Sequence, residues 1–355
     1  MTEVKDFLVD KSALRLNRFA SADAIPGEGQ ALLRLDRFAL TSNNVTYAAI
    51  GEQFGYWKFF PAPAPNGRVP VWGFADVVES KCADVAVGER IWGYYPIATH
   101  LVVTPMRVNT RGFVDGAAHR VSLPPVYNQY ERVAADPAYR REHEGHIALF
   151  RPLFVTGFLI DDFLDESGFF GARRVMLSSA SSKTALGLAK CLKDRAGVEV
   201  IGLTSARNAE FVRKIGYYDR VVSYERLGEL PNDQPALLVD MAGDAPLIDA
   251  LAHRLGDAFV YNCMVGGTHW ETGARATEGP PRTLFFAPDR IMKRNKDWGA
   301  DGFAARYATA WSGFLDSTAG WLKIIEKSGE EAVSDAWRAL LDGQARPEEG
   351  YVLRV

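Results

Sequence analysis

Cysteine is scarce in this chain. Cys82, Cys191 and Cys263 are the only three in 355 residues, and they lie far apart. An odd number at such spacing argues against a disulfide framework and fits a reducing compartment. Long apolar runs are also missing, since no stretch approaches the roughly 20 residues that span a bilayer. The N-terminal sequence carries Glu3, Lys5, Asp6, Asp10 and Lys11 where a signal peptide needs an unbroken apolar run. The expectation is a cytoplasmic protein with no membrane partner. Neither sign of charge is in excess: 41 Lys+Arg stand against 44 Asp+Glu. That balance argues against a nucleic-acid partner, which a basic surplus would serve. Internal repeats and low-complexity segments are absent, and 47% hydrophobic with 24% charged residues is an ordinary globular composition.

What is present changes character once. At about 150 residues per domain, the length points to roughly two domains. Up to about residue 105 the chain reads as short strands joined by turns. Residues 30–40 partly alternate apolar and polar, and 71–78, 89–93 and 99–104 are short strand-like runs. A loop-like stretch, 41–70, is rich in Gly, Pro and aromatics. This is the pattern of a small β-barrel. Residues 106–149 are less regular, and Pro124, Pro125, Gly145 and the charges at 140–144 mark an exposed excursion. Strands are then expected at 174–178, 198–203, 220–223, 236–240 and 258–261. Helices are expected at 184–194, 208–215 and 246–255. Such alternation predicts an α/β domain with a doubly wound parallel sheet. Towards the end, Phe303, Tyr307, Trp311, Phe314, Trp321 and Ile325 recur near helical spacing, as a core or subunit-contact stripe does. Residues 350–355 read as a terminal strand.

The turn after the first central strand is Ser178-Ser-Ala-Ser-Ser-Lys-Thr-Ala185. A dinucleotide fold places G-x-G-x-x-G here, so that backbone N–H groups and a helix N-terminus hold a pyrophosphate. Glycine is absent from this turn. Ser181, Ser182 and Thr184 nonetheless allow close approach and offer hydroxyls, and Lys183 adds a positive charge. The competing reading is a capped helix without a ligand, with Ser181 or Ser182 as N-cap. The second strand ends in Thr204-Ser-Ala-Arg-Asn208. It carries no acid for a ribose 2′-hydroxyl, whereas Thr204, Ser205 and Arg207 suit a 2′-phosphate. An ordinary helix N-terminus with Ser205 or Asn208 as cap is the alternative.

The order of segments resembles the medium-chain dehydrogenase/reductase superfamily, nearest its zinc-free quinone-oxidoreductase and enoyl-reductase branches. The resemblance rests on Trp72-Gly-Phe-Ala-Asp-Val-Val-Glu79, Val87-Gly-Glu-Arg-Ile-Trp-Gly-Tyr94, His100-Leu-Val-Val-Thr-Pro105, Phe150-Arg-Pro-Leu-Phe-Val-Thr-Gly157, Val239-Asp-Met-Ala-Gly243 and Gly350-Tyr-Val-Leu-Arg-Val355. It implies a Rossmann sheet plus a GroES-like barrel. The barrel would take 1–150 with an insertion at about 106–149, the NADP-binding domain 151–289, and the segment 290–355 would return to the barrel. Zinc-dependent relatives carry G-H-E where this chain reads Gly73-Phe74-Ala75, so no metal is expected. His143-Glu-Gly-His146 sits in the polar excursion and reads as a solvated loop.

The resemblance implies NADPH as cofactor, a small-molecule substrate and a homodimer. The implied reaction is hydride transfer to an activated double bond or a quinone. Thr41-Ser-Asn-Asn-Val-Thr-Tyr47 resembles the family's cleft loop. Asn44 would then hold a substrate carbonyl and Tyr47 would donate a proton; the alternative is a turn cap and a core ring. Tyr56, Trp57, Tyr94 and Tyr95 are candidate walls of a substrate pocket. Thr156 matches a family position near the nicotinamide, as do Cys263 and Val265 at the end of a central strand. Two further readings stay open. One is a non-catalytic ligand-binding protein on the same fold. The other is an enoyl-thioester reductase whose acyl carrier phosphates meet Arg290, Lys293, Arg294 and Lys296, a run that otherwise reads as a solvated face.

Overall fold

The computed structural model describes residues 2–136, 139–193, 195–265 and 279–355. The chain divides into two units, one of residues 1–149 and 323–355, the other of 150–322.

The first unit opens with β1 (Thr2–Asp10), β2 (Ala13–Ala24) and β3 (Ala31–Leu40). Then come α1 (Ser42–Ala49), β4 (Asn66–Arg68), β5 (Pro70–Ser80), β6 (Arg90–Pro96), β7 (His100–Val103), β8 (Pro105–Asn109), β9 (Gly112–Asp115) and β10 (Gln129–Arg132). The helix α2 (Glu144–Glu166) starts in this unit and continues into the second. The second unit alternates β11 (Arg174–Leu177), α3 (Lys183–Leu192), β12 (Glu199–Thr204), α4 (Ala206–Lys214), β13 (Arg220–Ser223), β14 (Ala236–Asp240), α5 (Ala245–Leu255), β15 (Phe259–Met264), β16 (Arg282–Leu284) and α6 (Ala287–Thr318). The chain then returns through β17 (Lys323–Ser328), α7 (Glu330–Leu341) and β18 (Glu349–Arg354). This return comes at Lys323 rather than near 290, because α6 belongs to the second unit.

The larger sheet of the first unit runs β17-β18-β3-β5-β6-β10-β9-β8, with β7 also paired to β3. A strand shows its side chains to alternate faces. Along β5 and β6, Val71, Ala75, Val77, Ile91 and Tyr95 face the core, where Trp337 of α7 and Leu353 of β18 complete the packing. Trp72, Phe74 and Asp76 face the other way, directly opposite Tyr94, Trp92 and Arg90. One face of a single strand pair therefore carries aromatics at one end and an ion cluster at the other.

Residues 106–149 are more ordered than their composition suggests. Three of the sheet's strands come at least partly from them, and Glu144 is fully buried. Its carboxylate accepts from Arg90 at 2.5 and 2.7 Å, while the same guanidinium reaches Asp76 at 2.8 Å and Asp36 at 2.6 Å. Asp36 falls at a register shift in β3, which turns it into this cluster. Buried charge is tolerated here because each ion is paired and hydrogen-bonded. His143 is followed at once by this buried carboxylate, and His146 lies half-buried in the first turn of α2, so the pair is no solvated loop.

In the second unit all strands are parallel and run β13-β12-β11-β14-β15-β16. This is the doubly wound dinucleotide order, with its crossover reversing between β11 and β14. Of the aromatic stripe, Phe314 is buried, while Phe303, Tyr307, Trp311 and Trp321 are half-buried. Phe303, Tyr307, Trp311 and Phe314 pack on Phe154 and Phe158 of α2, with Phe154 and Phe314 stacked at 4.6 Å. The architecture is the Rossmann and GroES-like pair of the medium-chain dehydrogenase/reductase fold.

Candidate functional site

The turn from β11 into α3 is held by hydrogen bonds to distant parts of the chain where a glycine-rich turn relies on permissive backbone. Ser178 is fully buried. Its hydroxyl donates to Asp240 at 2.8 Å and accepts from the Met241 N–H at 2.8 Å. Asp240 also accepts the N–H groups of Ala242 and Gly243, both at 3.1 Å, which closes the turn after β14. Burial raises its carboxyl above the usual range against those hydrogen bonds. Ser179 stands at φ +47°, a left-handed conformation unusual for a residue with a Cβ. The Tyr224 hydroxyl accepts its N–H at 2.7 Å. Ala180 then donates to the Leu203 carbonyl at 2.9 Å and Ser182 to the Ser179 carbonyl at 2.7 Å. Ser182 is the N-cap of α3, accepting from the Ala185 N–H at 3.3 Å. Lys183 and Thr184 open the helix.

The glycine that a dinucleotide turn needs has moved to the neighbouring strand. A Cβ on Gly202 would stand 3.0 Å from the Ala180 Cβ and 2.9 Å from the Tyr218 ring. The hydroxyl of Tyr218 donates to the Ala180 carbonyl at 2.7 Å. Only glycine on β12 lets the turn settle this deeply. Ser181 accepts from the Asn208 amide at 3.0 Å, which ties the turn to the first residues of α4. Ser205 is the N-cap of α4, yet its hydroxyl makes no capping bond. Thr204 is buried at the end of β12, and Arg207 projects from an exposed position one turn on. The structure thus gathers Ser181, Ser182, Lys183, Thr184, Thr204, Ser205 and Arg207 at the C-terminal ends of two adjacent parallel strands. Ligands bind at such ends in doubly wound sheets, and two helix N-termini there favour anions. The fit to a dinucleotide phosphate is good on these grounds.

Cys263 is buried in β15, its thiol pushed up to about 12 by burial and the nearby Asp240. Val265 donates to the Asp240 carbonyl at 2.8 Å. Thr156 returns its hydroxyl to the Pro152 carbonyl at 3.1 Å within α2.

In the first unit, Thr41 and Asn44 form a reciprocal capping box that starts α1 inside the stretch 41–70. Asn44 accepts from the Thr41 N–H at 2.8 Å and donates to the Pro70 carbonyl at 2.9 Å. Its side-chain oxygen and one of its two N–H donors are thus engaged by the fold, and Asn44 positions the start of α1. Tyr47, one turn later, meets Tyr56 at 4.4 Å between ring centroids and Tyr94 at 6.0 Å. Phe59, Phe60, Trp72 and Tyr127 complete this cluster. The Tyr47 and Tyr94 phenols are raised above their ordinary value by burial, so both stay protonated hydrogen-bond donors at neutral pH.

Trp57 and Tyr95 are not part of it. Trp57 is sandwiched where a Cβ on Gly51 or Gly67 would lie 2.3 or 2.5 Å from its ring, deep in the barrel core. Tyr95 follows Tyr94 on β6 and so points to the opposite face. Its hydroxyl donates to Ile91 at 3.1 Å and its ring meets Tyr130. Adjacent strand residues cannot wall one pocket.

Tyr127 carries no motif in the sequence. It is delivered by the segment after β9 and clamped by Arg120, which is fully buried. Arg120 donates to the Tyr127 carbonyl at 2.6 Å, Asn128 at 2.9 Å, and Asp115 and the Tyr130 hydroxyl at 2.9 Å each. Tyr218 and Tyr224 were equally hidden, since a turn-filling tyrosine has no spacing signature. The basic run behaves differently from both sequence readings. Arg290, Lys293 and Arg294 pair with Asp162, Glu166 and Asp297 at 2.6–3.1 Å. Among the described residues no group of three or more His, Cys, Asp or Glu could hold a metal ion, and no helix is long and apolar enough to cross a membrane.

The family model described as "Protein of unknown function (DUF2855)" matches residues 38–346. No curated protein matches the chain. Among solved structures, a Mesorhizobium loti protein assigned as an NADPH:quinone reductase is similar over 100% of both chains, with 12% identity and a TM-score of 0.65. CurA of Vibrio vulnificus, in complex with NADPH, is similar over 98% of both chains, with 13% identity and a TM-score of 0.61. Etr1p, in a complex with NADP and crotonyl-CoA, is similar over 99% of this chain and 100% of its own, with 10% identity and a TM-score of 0.55. At these identities the likeness is one of fold.

Proposed function

We propose that this chain, which belongs to the DUF2855 family, is a zinc-independent NADPH-dependent oxidoreductase that reduces an activated double bond or a quinone. The observation that carries the reading is the Ser181–Asn208 bond. It joins the pyrophosphate turn to a strand end that offers Thr204, Ser205 and Arg207 and no acid. A 2′-phosphate suits that end, and a free ribose hydroxyl finds no carboxylate there. Arginine meets phosphate through its planar fork.

The bound cofactor would supply the hydride. Ser181, Ser182 and Thr184, the α3 N-terminus and Lys183 would hold the pyrophosphate. In the other unit, Tyr47 stays protonated and would donate to the acceptor oxygen as charge develops on it. A neutral acceptor is favoured over an acyl thioester, because Arg290, Lys293 and Arg294 are already paired with carboxylates. Where zinc-dependent members of the medium-chain dehydrogenase/reductase superfamily carry G-H-E, this chain reads Gly73-Phe74-Ala75, with Phe74 buried against Trp92 at 4.9 Å. The same reading includes a cytoplasmic setting and a homodimer.

One observation favours the competing reading, a fold kept without its dinucleotide. The N–H groups of Ser179, Ala180 and Ser182 are already bonded within the protein. Calorimetric titration of the apo-protein with NADPH and with NADH decides between them. Tight NADPH binding, weakened at least tenfold in Arg207→Ala with little change for NADH, is the expected result. Binding of neither by folded protein removes the oxidoreductase reading.

A further inference from the structure

The hydroxyl of Tyr94 is buried, and among the described residues it has no hydrogen-bond partner. Its residue is completely shielded from solvent. A buried polar group left unpaired is costly, so one that persists calls for a reason. Its surroundings supply one. Four phenols from four separate segments meet here: Tyr47 from α1, Tyr56 from the turn after it, Tyr94 from β6 and Tyr127 from the segment between β9 and β10. Ring centroids are 4.4 Å apart for Tyr47 and Tyr56, 4.9 Å for Tyr94 and Tyr127, and 6.0 Å for Tyr56 and Tyr127. The Tyr127 ring also meets Phe59 at 5.1 Å and Trp72 at 6.0 Å. Beside them, Trp72 and Trp92 stack at 5.7 Å with planes 19° apart, a flat apolar wall.

We propose that Tyr47, Tyr56, Tyr94 and Tyr127 form a binding site for the carbonyl oxygen of a neutral, planar acceptor, a quinone or an aryl enone. Tyr94 and Tyr127 are its acceptor-binding residues. Neutral phenols donate without bringing a charge, which matches an uncharged oxygen in an apolar setting. The nearest cation, Arg120, is committed to Asp115 and so does not recruit an anion. What it does is fix Tyr127. Four hydrogen bonds from a buried guanidinium hold that segment in one place, as a pre-organised donor requires. The acceptor's identity rests on the reductase reading; the oxygen site does not.

The test uses menadione, full-length protein and calorimetry. Tyr94→Phe and Tyr127→Phe each keep the ring and delete one hydroxyl. Each is expected to weaken menadione binding about three- to tenfold, the loss of one neutral hydrogen bond. NADPH binding stays unchanged in both. Tyr95→Phe, on the core face of the same strand, leaves menadione binding unchanged. A second readout separates this role from packing. Removing an unpaired buried hydroxyl relieves the empty protein, so Tyr94→Phe raises its Tm by about 2 °C while weakening the ligand. A residue that serves packing alone would not move the two in opposite senses. Menadione that fails to bind, or that binds both Phe variants as it binds wild type, overturns the proposal. Tyrosine-dependent menadione binding without NADPH oxidation keeps the oxygen site and removes the reductase reading. NADPH-dependent menadione reduction with unchanged KM in both variants keeps the reductase reading and removes the oxygen site.

Discussion

The Tyr224 hydroxyl accepts the backbone N–H of Ser179 at 2.7 Å. This bond supports a serine at φ +47°, in a turn where glycine would need no support. Tyr224→Phe leaves that N–H without its acceptor. The expected cost is about 1–3 kcal/mol of stability, with weaker NADPH binding as the turn loosens. Urea unfolding and the NADPH titration read the two effects separately.

Gly202 makes a second handle on the same turn. A side chain there must push against Ala180 and Tyr218. Gly202→Val should shift the turn away from β12 and weaken NADPH binding more than tenfold. Menadione binding, which depends on the other unit, should survive. Loss of both would point to a general failure to fold.

Arg120 carries the segment that delivers Tyr127. Arg120→Ala strips the buried Asp115 of its ion partner and the Tyr130 hydroxyl of a donor. Breaking a buried pair costs about 3–5 kcal/mol. The urea midpoint should fall accordingly, and an unchanged midpoint would refute the clamp.

Glu166 predicts an acid-range effect. Hydrogen bonds from Lys293 and Arg290 hold its carboxyl down at about 2. A depressed carboxyl stabilises the fold above its unfolded value, which is about 4.3 for a free glutamate. That contribution is lost as pH falls from there through about 2. Glu166→Gln should therefore lower stability near neutral pH and flatten its decline across that window. Parallel pH dependence of the two proteins would rule this out.

The alternating segments from residue 174 onward were legible because β11 to β15 are short and mostly apolar, with amphipathic helices between most of them. The helix α1 was hidden by the Gly, Pro and aromatics around it, although the capping pair Thr41 and Asn44 marks its start. Composition misled most in 106–149. Charge there suggested exposure, yet Glu144 and Arg120 are buried because each found partners distant in sequence: Arg90 for one, Asp115 and Tyr130 for the other. Such pairing has no periodicity to read. The turn after β11 was placed by its strand and helix context, while Tyr218 and Tyr224, which bond its backbone, were not. Tyr94 and Tyr95 show the limit of residue type as a guide, since one position of register sends the two rings into different clusters on opposite faces of β6.

Trp337 packs against Phe7 at 6.2 Å and donates its indole N–H to the Leu14 carbonyl at 2.8 Å. Phe7 and Leu14 are thus packed by a residue more than three hundred positions further along the chain. Every residue of the second unit is contiguous, and all are translated before Lys323. That unit can fold while synthesis continues. The first must wait, its core unfilled, until residues 323–355 emerge. During that interval β1, β3, β5 and β6 lack Trp337 and Leu353 from their core, so their apolar faces need cover until α7 and β18 are made.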